Sequence, residues 1–184
     1  RLVSVDEKLR ESDGAKYGRA LALIKSKRPA DAVPLLQKLA EEHPSITQYR
    51  SALGEALMKA GRTDESLSTF EQAMKLFPRN VPLTMRYAES LMRVDQARLA
   101  HQILLDLFNA VPPTPGQARF IAMCANAAGD VGDAYSYMAE YHIMSGELML
   151  AINQLELALA VPNLSAVQKA RFQARLDELK EYMP

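Results

Sequence analysis

Three prolines lie at equal intervals along the chain: Pro44, Pro78 and Pro112. Four further columns keep the same interval. Two hold small residues and two hold large apolar ones: Ala20, Gly54 and Ala88; Ala32, Ser66 and Ala100; Leu23, Leu57 and Leu91; Leu36, Phe70 and Leu104. Self-similarity at a fixed period is the sequence signature of a repeat architecture. Five columns that agree across three repeats therefore predict a stack of similar units.

The interval between the prolines matches the period of the tetratricopeptide repeat (TPR), a pair of helices of about 34 residues. The small residues let paired helices approach closely, where a larger side chain would overpack the contact. The repeated proline ends the second helix, because it has no N–H to donate. The pattern predicts an all-α fold, a TPR right-handed superhelix of about ten antiparallel-paired helices.

The domain organisation follows from the repeat positions. We predict a TPR domain over residues 14–184, with repeats at about 13–46, 47–80 and 81–114 and less regular helices to the end. Beyond Gly129 the TPR-like columns are shifted by half a repeat, so the pairing of those helices stays open. Residues 1–13 are polar and unpatterned and are predicted to be a linker from a missing N-terminal domain.

Two local features refine the predicted helices. Pro34 falls within the second helix of the first repeat, and a late start with Asp31 as N-cap would place it harmlessly in the first turn. Ser165 and Gln168 are spaced as a capping box, which predicts that the last helix begins after Ser165.

Composition and motifs give no support for catalysis. Lys and Arg together number 22, as do Asp and Glu, so no net charge favours nucleic acid. The sequence has no HExxH motif, no apolar run of about 18 residues that could span a membrane, and a single cysteine, Cys124, which we expect to be buried. We take His43 as an exposed helix-end residue and His142 as a core-edge residue. We predict no catalytic residue, no metal ligand and no cofactor in this chain.

The candidate site is the groove of the array, because the first helices of TPR units line the concave side. Repeat register places twelve residues there: Tyr17, Lys25, Ser51, Glu55, Met58, Lys59, Met85, Glu89, Met92, Arg93, Arg119 and Met123. Lys25, Lys59 and Arg93 share one repeat position and form a predicted basic ladder. Methionine adds flexible apolar surface that suits varied partners.

A plainer interpretation stays open beside this one. Charge ladders are often solvated faces with ion pairs worth under about 1 kcal/mol each, and methionines at helical spacing often belong to the core. Glu55 and Glu89 also disfavour one partner class, the anionic peptide tails that chaperone-binding TPR domains hold in a clamp of Lys, Asn and Arg.

The whole chain resembles the C-terminal TPR region of bacterial periplasmic HExxH zinc metalloproteases of the BepA (YfgC) kind. The residues that carry this resemblance open the first repeat and close the chain: Lys16-Tyr17-Gly18-Arg19-Ala20, Ala139-Glu140-Tyr141, Gly146-Glu147-Leu148, Ala151-Ile152, Leu155-Glu156-Leu157-Ala158 and the terminal segment 168–179. The resemblance implies a periplasmic domain that packs beside a protease domain and guides it to outer-membrane proteins and their assembly machinery. Zinc is then expected only in the missing protease domain. A free-standing TPR scaffold or adaptor is the alternative.

Overall fold

The computed structural model describes residues 12–181. The predicted linker 1–13 lies almost wholly outside them, and its last two residues begin the first helix, with Ser12 as N-cap. The described residues form ten α-helices and no strand. Their bounds are α1 Asp13–Lys25, α2 Pro29–Glu42, α3 Thr47–Lys59, α4 Thr63–Leu76, α5 Val81–Arg93, α6 Ala97–Phe108, α7 Pro115–Ala127, α8 Val131–Met144, α9 Leu148–Ala160 and α10 Ala166–Glu181. The prediction of an all-α TPR fold with about ten helices is confirmed.

The chain divides into two compact units, Arg1–Leu91 and Met92–Pro184. In the first unit, α1 packs on α2, α2 on α3 and α3 on α4. The core contains four residues of the predicted columns, Ala20, Ala32, Leu36 and Leu57, together with Ile24, Val33, Ala52 and Ala56. Gly61 lies in the α3–α4 turn with φ of +77°, a left-handed conformation that favours glycine.

In the second unit, α6 packs on α7, α7 on α8, α8 on α9 and α9 on α10. The helices after Gly129 therefore pack in chain order, with α8 in contact with both α7 and α9. Phe172 and Leu176 of α10 close a core against α8 and α9 that includes Ala139 and Leu155. The predicted capping box is confirmed, because Ser165 Oγ accepts from the Gln168 amide at 3.1 Å and Gln168 Oε1 accepts from the Ser165 amide at 3.1 Å.

The predicted late start of the second helix is wrong. α2 begins at Pro29 with Arg28 as N-cap, and Asp31 instead pairs with Arg28 at 2.7 Å. Pro29 takes the first helical position, where a missing donor costs nothing. Pro34 lies inside the helix, but it and Ala30 face solvent. Water can therefore satisfy the Ala30 carbonyl that Pro34 leaves without a donor.

No helix within residues 12–181 combines the length and the apolar character needed to cross a bilayer.

Candidate protein-binding surfaces

The first candidate surface is a cavity of about 330 Å³ in the first unit, here called the α1–α3–α5 cavity. First helices of successive repeats supply most of its lining, as repeat register predicts. The lining residues are Tyr17, Leu21, Thr47, Gln48, Ser51, Ala52, Glu55, Asn80, Pro82, Leu83 and Arg86. Three of the twelve predicted groove residues, Tyr17, Ser51 and Glu55, therefore meet at one cavity.

The charges at this cavity centre on Glu55. Lys59 Nζ lies 2.7 Å from Glu55 Oε1, and Arg86 Nη1 lies 3.3 Å from Glu55 Oε2. Arg86 also lies 3.5 Å from Glu89. Two cations and two carboxylates thus neutralise one another, and Lys59 carries its charge paired with an acid of its own helix. This pairing is the partly solvated network that the plainer interpretation describes.

Arg86 is a cavity residue that repeat register missed. The equivalent positions of the two earlier repeats hold Ala52 and Gly18, so no basic column marks the site. Its proximity to Glu55 depends on the packing of α5 beside α3, and this packing cannot be derived from a single sequence. Only its place one turn before Glu89 on the same helix could have pointed to it.

Tyr17 has a partner that also was not foreseen. Its ring lies 5.1 Å from the ring of Tyr49, at an interplanar angle of 60°. Burial is the main cause that raises the pKa of the Tyr17 phenol, so the hydroxyl stays neutral at ordinary pH. Tyr17 lines the cavity, and its contact with the buried ring of Tyr49 supports an apolar ring with a polar hydroxyl at that wall.

The remaining predicted groove residues of α1, α3 and α5 lie outside the lining of this cavity. Lys25 is exposed at the end of α1, and Arg93 is exposed at the end of α5. The others on these helices are half-buried or exposed at their edges: Met58, Lys59, Met85, Glu89 and Met92. The assignment of these residues to a binding groove stays a prediction.

A second candidate surface is a larger cavity of about 570 Å³ in the second unit, here called the α7–α8 cavity. Both remaining predicted residues, Arg119 and Met123, line it. The complete lining is Gly116, Arg119, Phe120, Ala122, Met123, Asn126, Ala134, Tyr135, Met138 and Gln154. Tyr135 and Met138 were missed because the repeat phase shifts after Gly129, so register could not place α8 beside α7. Phe120 of α7 stands at the register position of Arg86, which was not assigned to the groove.

The α7–α8 cavity is apolar, with a cation at its edge. Met123 has 58% of its surface exposed, although it lies in the middle of α7. The Arg119 guanidinium lies 5.4 Å above the ring of Tyr141, which holds it by a cation–π contact. Among the residues that the structure describes, no carboxylate belongs to the lining. A partner with an apolar side chain next to an acidic or carbonyl group would match this arrangement.

Within residues 12–181, two groups of three His, Asp or Glu side chains lie close enough together to hold an ion. Asp13, Glu42 and His43 form a surface cluster, in which His43 Nε2 lies 2.6 Å from Asp13 Oδ2. His101, Asp130 and Asp133 form a buried cluster. Burial is the largest influence on His101 and lowers its pKa, in spite of the two nearby carboxylates. Sequence reasoning found neither cluster, because each joins residues of helices that are distant along the chain.

Two single residues follow the sequence predictions. Cys124 is fully buried, and burial raises the pKa of its thiol to about 12. A thiol of this kind is a poor nucleophile, since the thiolate is the reactive form. His142 is half-buried at the edge of α8, where its Nδ1 lies 2.7 Å from Glu147 Oε2.

Comparison with known proteins gives the same architecture. Two family profiles described as tetratricopeptide repeat match residues 17–82 and 57–125 and together span more than half of the chain. Among solved structures, MamA from Desulfovibrio magneticus RS-1 superposes with a TM-score of 0.62 at 15% identity, covering 93% of this chain and 96% of that one. A thermophilic TPR protein of Thermus thermophilus superposes with a TM-score of 0.56 at 16% identity, covering 90% of this chain and 99% of that one. At such identities, these likenesses concern the fold alone.

The resemblance stated from the sequence is confirmed among curated proteins. A beta-barrel assembly-enhancing protease of Yersinia pestis is 26% identical over 172 residues, which cover 94% of this chain. Those residues are 35% of the protease, so the chain spans about a third of the length of the curated relatives it matches.

Proposed function

Since the chain belongs to the tetratricopeptide-repeat family, we propose that it is a protein-binding domain, the non-catalytic partner-recognition part of a periplasmic zinc metalloprotease. Its clients are proteins or peptides met in outer-membrane protein quality control. Its own protease domain and the outer-membrane assembly machinery are further partners. The catalytic zinc and the catalytic residues belong to the protease domain, outside the matched third of the relatives.

One observation carries the binding role: the open apolar α7–α8 cavity with Met123 exposed in its lining. Single exposed apolar residues are ordinary, whereas a contiguous apolar patch marks a binding surface, and here Met123 lies in one cavity with Phe120, Tyr135 and Met138. The volume of about 570 Å³ lies within the usual range of roughly 300–1,000 Å³ for ligand sites. Methionine side chains, here Met123 and Met138, also adapt to partners of different shape.

The link to a protease rests on the similarity along 94% of the chain. That similarity covers the repeats only, so the activity of the whole relative is a proposal for the parent of this chain. The alternative is a free-standing TPR scaffold or adaptor. The reading frame upstream of Arg1 separates the two: an HExxH-bearing domain supports the protease, whereas a signal peptide joined directly to the repeats contradicts it.

The binding role is tested by Met123→Glu in the full-length parent protein. We expect this change to reduce the recovery of cross-linked client proteins from cells by at least a factor of five, because a carboxylate would be buried against apolar surface. Met149→Glu is the matched control. Met149 is 59% exposed on α9 and does not line the cavity, so recovery should stay at the wild-type level.

The result that contradicts the binding role is equal recovery from Met123→Glu and wild type, with both chains fully helical by circular dichroism. If both glutamate variants lose clients to the same degree, the cavity has no special part in binding and the assignment is wrong.

A further inference from the structure

The buried cluster of His101, Asp130 and Asp133 contains a polar atom whose partner is missing. His101 lies in α6 with 5% of its surface exposed, and Asp133 lies in the first turn of α8 with 4% exposed. His101 Nε2 is 3.8 Å from Asp133 Oδ2, which is too far for a hydrogen bond. Within residues 12–181, no group forms a hydrogen bond with this nitrogen. Buried polar atoms are nearly always satisfied, so an orphaned imidazole nitrogen needs an explanation.

The two carboxylates are held in a way that leaves one oxygen of each turned to the imidazole. Arg171 of α10 donates to Asp133 Oδ1. Gln168 of the same helix donates to Asp130 Oδ1 at 3.0 Å. The other oxygen of each aspartate faces His101, with Asp130 Oδ2 4.0 Å from His101 Nδ1. In metal sites, hydrogen bonds to the oxygen that does not bind the metal orient each carboxylate ligand. Arg171 and Gln168 donate bonds of this type.

The charge of the cluster favours a bound cation. With a neutral imidazole, two carboxylates face the single guanidinium of Arg171, and Asp133 is almost fully buried. A buried negative charge in excess is costly unless a cation or more donors compensate it. Asp130, the N-cap of α8, keeps 35% of its side chain exposed, which gives an ion and a water ligand a path from solvent.

We propose that His101, Asp130 and Asp133 form a binding site for a divalent transition-metal ion, with zinc as the best match. Imidazole nitrogen with carboxylate oxygen is a ligand set that zinc accepts. One ligand atom from each residue lies within 4.8 Å of the other two. Zinc–ligand bonds of about 2.0–2.2 Å in a tetrahedron put ligands roughly 3.4 Å apart. One imidazole nitrogen binds the ion: with Nε2 as that ligand, Asp133 Oδ2 is 3.8 Å away, and the Asp130 carboxylate has to turn from Nδ1 towards Nε2 to complete the site. Water takes the fourth position.

The role of such an ion is structural, because it joins α6 to the first turn of α8. These helices belong to different hairpins of the second unit and share the cluster with α10 through Arg171 and Gln168. An ion that binds the folded chain and not the unfolded one stabilises the folded chain in proportion to its occupancy. The site is independent of the proposed client binding, since none of its ligands lines the α7–α8 cavity.

The test measures zinc bound to the metal-free 184-residue chain by equilibrium dialysis with elemental analysis. We expect one zinc per wild-type chain, and visible absorption of a tetrahedral site when cobalt replaces zinc. Asp130→Asn keeps an N-cap, because asparagine caps helices as well as aspartate, and should weaken zinc binding at least tenfold without loss of helicity. His101→Gln should abolish the site.

His43→Gln is the control for the surface cluster of Asp13, Glu42 and His43, and should bind zinc as wild type does. Three outcomes overturn the proposal. They are wild-type chains that bind no zinc, zinc binding that survives both His101→Gln and Asp130→Asn, and zinc binding that His43→Gln removes.

Discussion

Gly54 faces the ring of Phe70 so closely that a Cβ on Gly54 would lie 2.6 Å from ring carbons Cε2 and Cζ. Phe70 is fully buried, and its ring stacks on that of Tyr87 with centroids 5.5 Å apart. Ser66, from the other small column, donates a 2.7 Å hydrogen bond to the Gly54 carbonyl. In the second repeat, the small residues Gly54 and Ser66 and the large residue Phe70 thus form a single contact between α3 and α4.

Gly54→Ala should destabilise the first unit by up to about 2 kcal/mol. The overpacking cost of roughly 1–3 kcal/mol exceeds the gain of about 1 kcal/mol in helix propensity, because Tyr87 prevents the Phe70 ring from moving away. Urea unfolding followed by circular dichroism measures the change. Gly18→Ala is the control: Gly18 is an exposed residue of α1 with nothing within 4 Å of its added Cβ, and this change should stabilise by roughly 0.5–1 kcal/mol. A shift of the same sign in both variants would contradict the account of the contact.

The sequence predicts contacts between residues that recur at the repeat period, but not contacts between residues that do not recur. Gly54, Ser66 and Phe70 each belong to a column that recurs at the TPR period, so periodicity predicted both their positions and their packing. Arg86 stands at a register position that is small in the earlier repeats, and the His101 cluster joins residues across a half-repeat shift. Such contacts depend on how helices sit against one another, which a local pattern does not encode.

Arg175 should matter more for the docking of α10 than the other exposed ion pairs of that helix. Its Nε and Nη2 bind Glu140 of α8 at 2.8 and 2.9 Å, and Nη1 binds Glu178 at 2.6 Å. Arg175→Lys removes the bidentate pair of hydrogen bonds to Glu140, which a guanidinium can form and an ammonium group cannot. We expect amide hydrogen exchange in α10 to quicken about fivefold, the equivalent of roughly 1 kcal/mol.

The control for Arg175→Lys lies on the same helix. Lys180 pairs with Glu156 of α9 at 3.2 Å, and about half of each side chain is exposed. Pairs of this kind contribute little, so Lys180→Gln should leave exchange unchanged. Equal effects of the two substitutions would show that the Glu140 contact has no special role.

Cys124 should resist alkylation in the folded protein at pH 8. Burial raises the pKa of its thiol to about 12, whereas the pKa of an unfolded cysteine is about 8.5. Between these values the unfolded chain loses the proton and the folded chain keeps it. Stability is therefore unaffected by this group below about pH 8.5 and falls as the pH rises above it. Mass spectrometry after iodoacetamide treatment should find no label without denaturant and one label in urea.

Met123→Cys supplies the matched exposed thiol one residue away. Met123 is 58% exposed, so this variant should take one label when folded and two in urea. Labelling of Cys124 in the folded wild-type protein, at a rate close to that of the new thiol, would contradict its burial.

The predicted basic ladder is tested by charge reversal at Lys59 and Arg93. Lys59→Glu places a second carboxylate beside Glu55, where Lys59 Nζ now lies 2.7 Å away, and so makes the edge of the α1–α3–α5 cavity acidic. We expect Lys59→Glu combined with Arg93→Glu to weaken client capture by the parent protein severalfold. The helical signal should stay intact, because both side chains are at the surface and an exposed pair contributes under about 1 kcal/mol. Lys38→Glu is the control, since Lys38 pairs with Glu42 at the same spacing but on α2, a second helix of its repeat. Capture that is unchanged in the double variant, or reduced equally by Lys38→Glu, would remove Lys59 and Arg93 from the binding surface and leave the ladder as a solvated face.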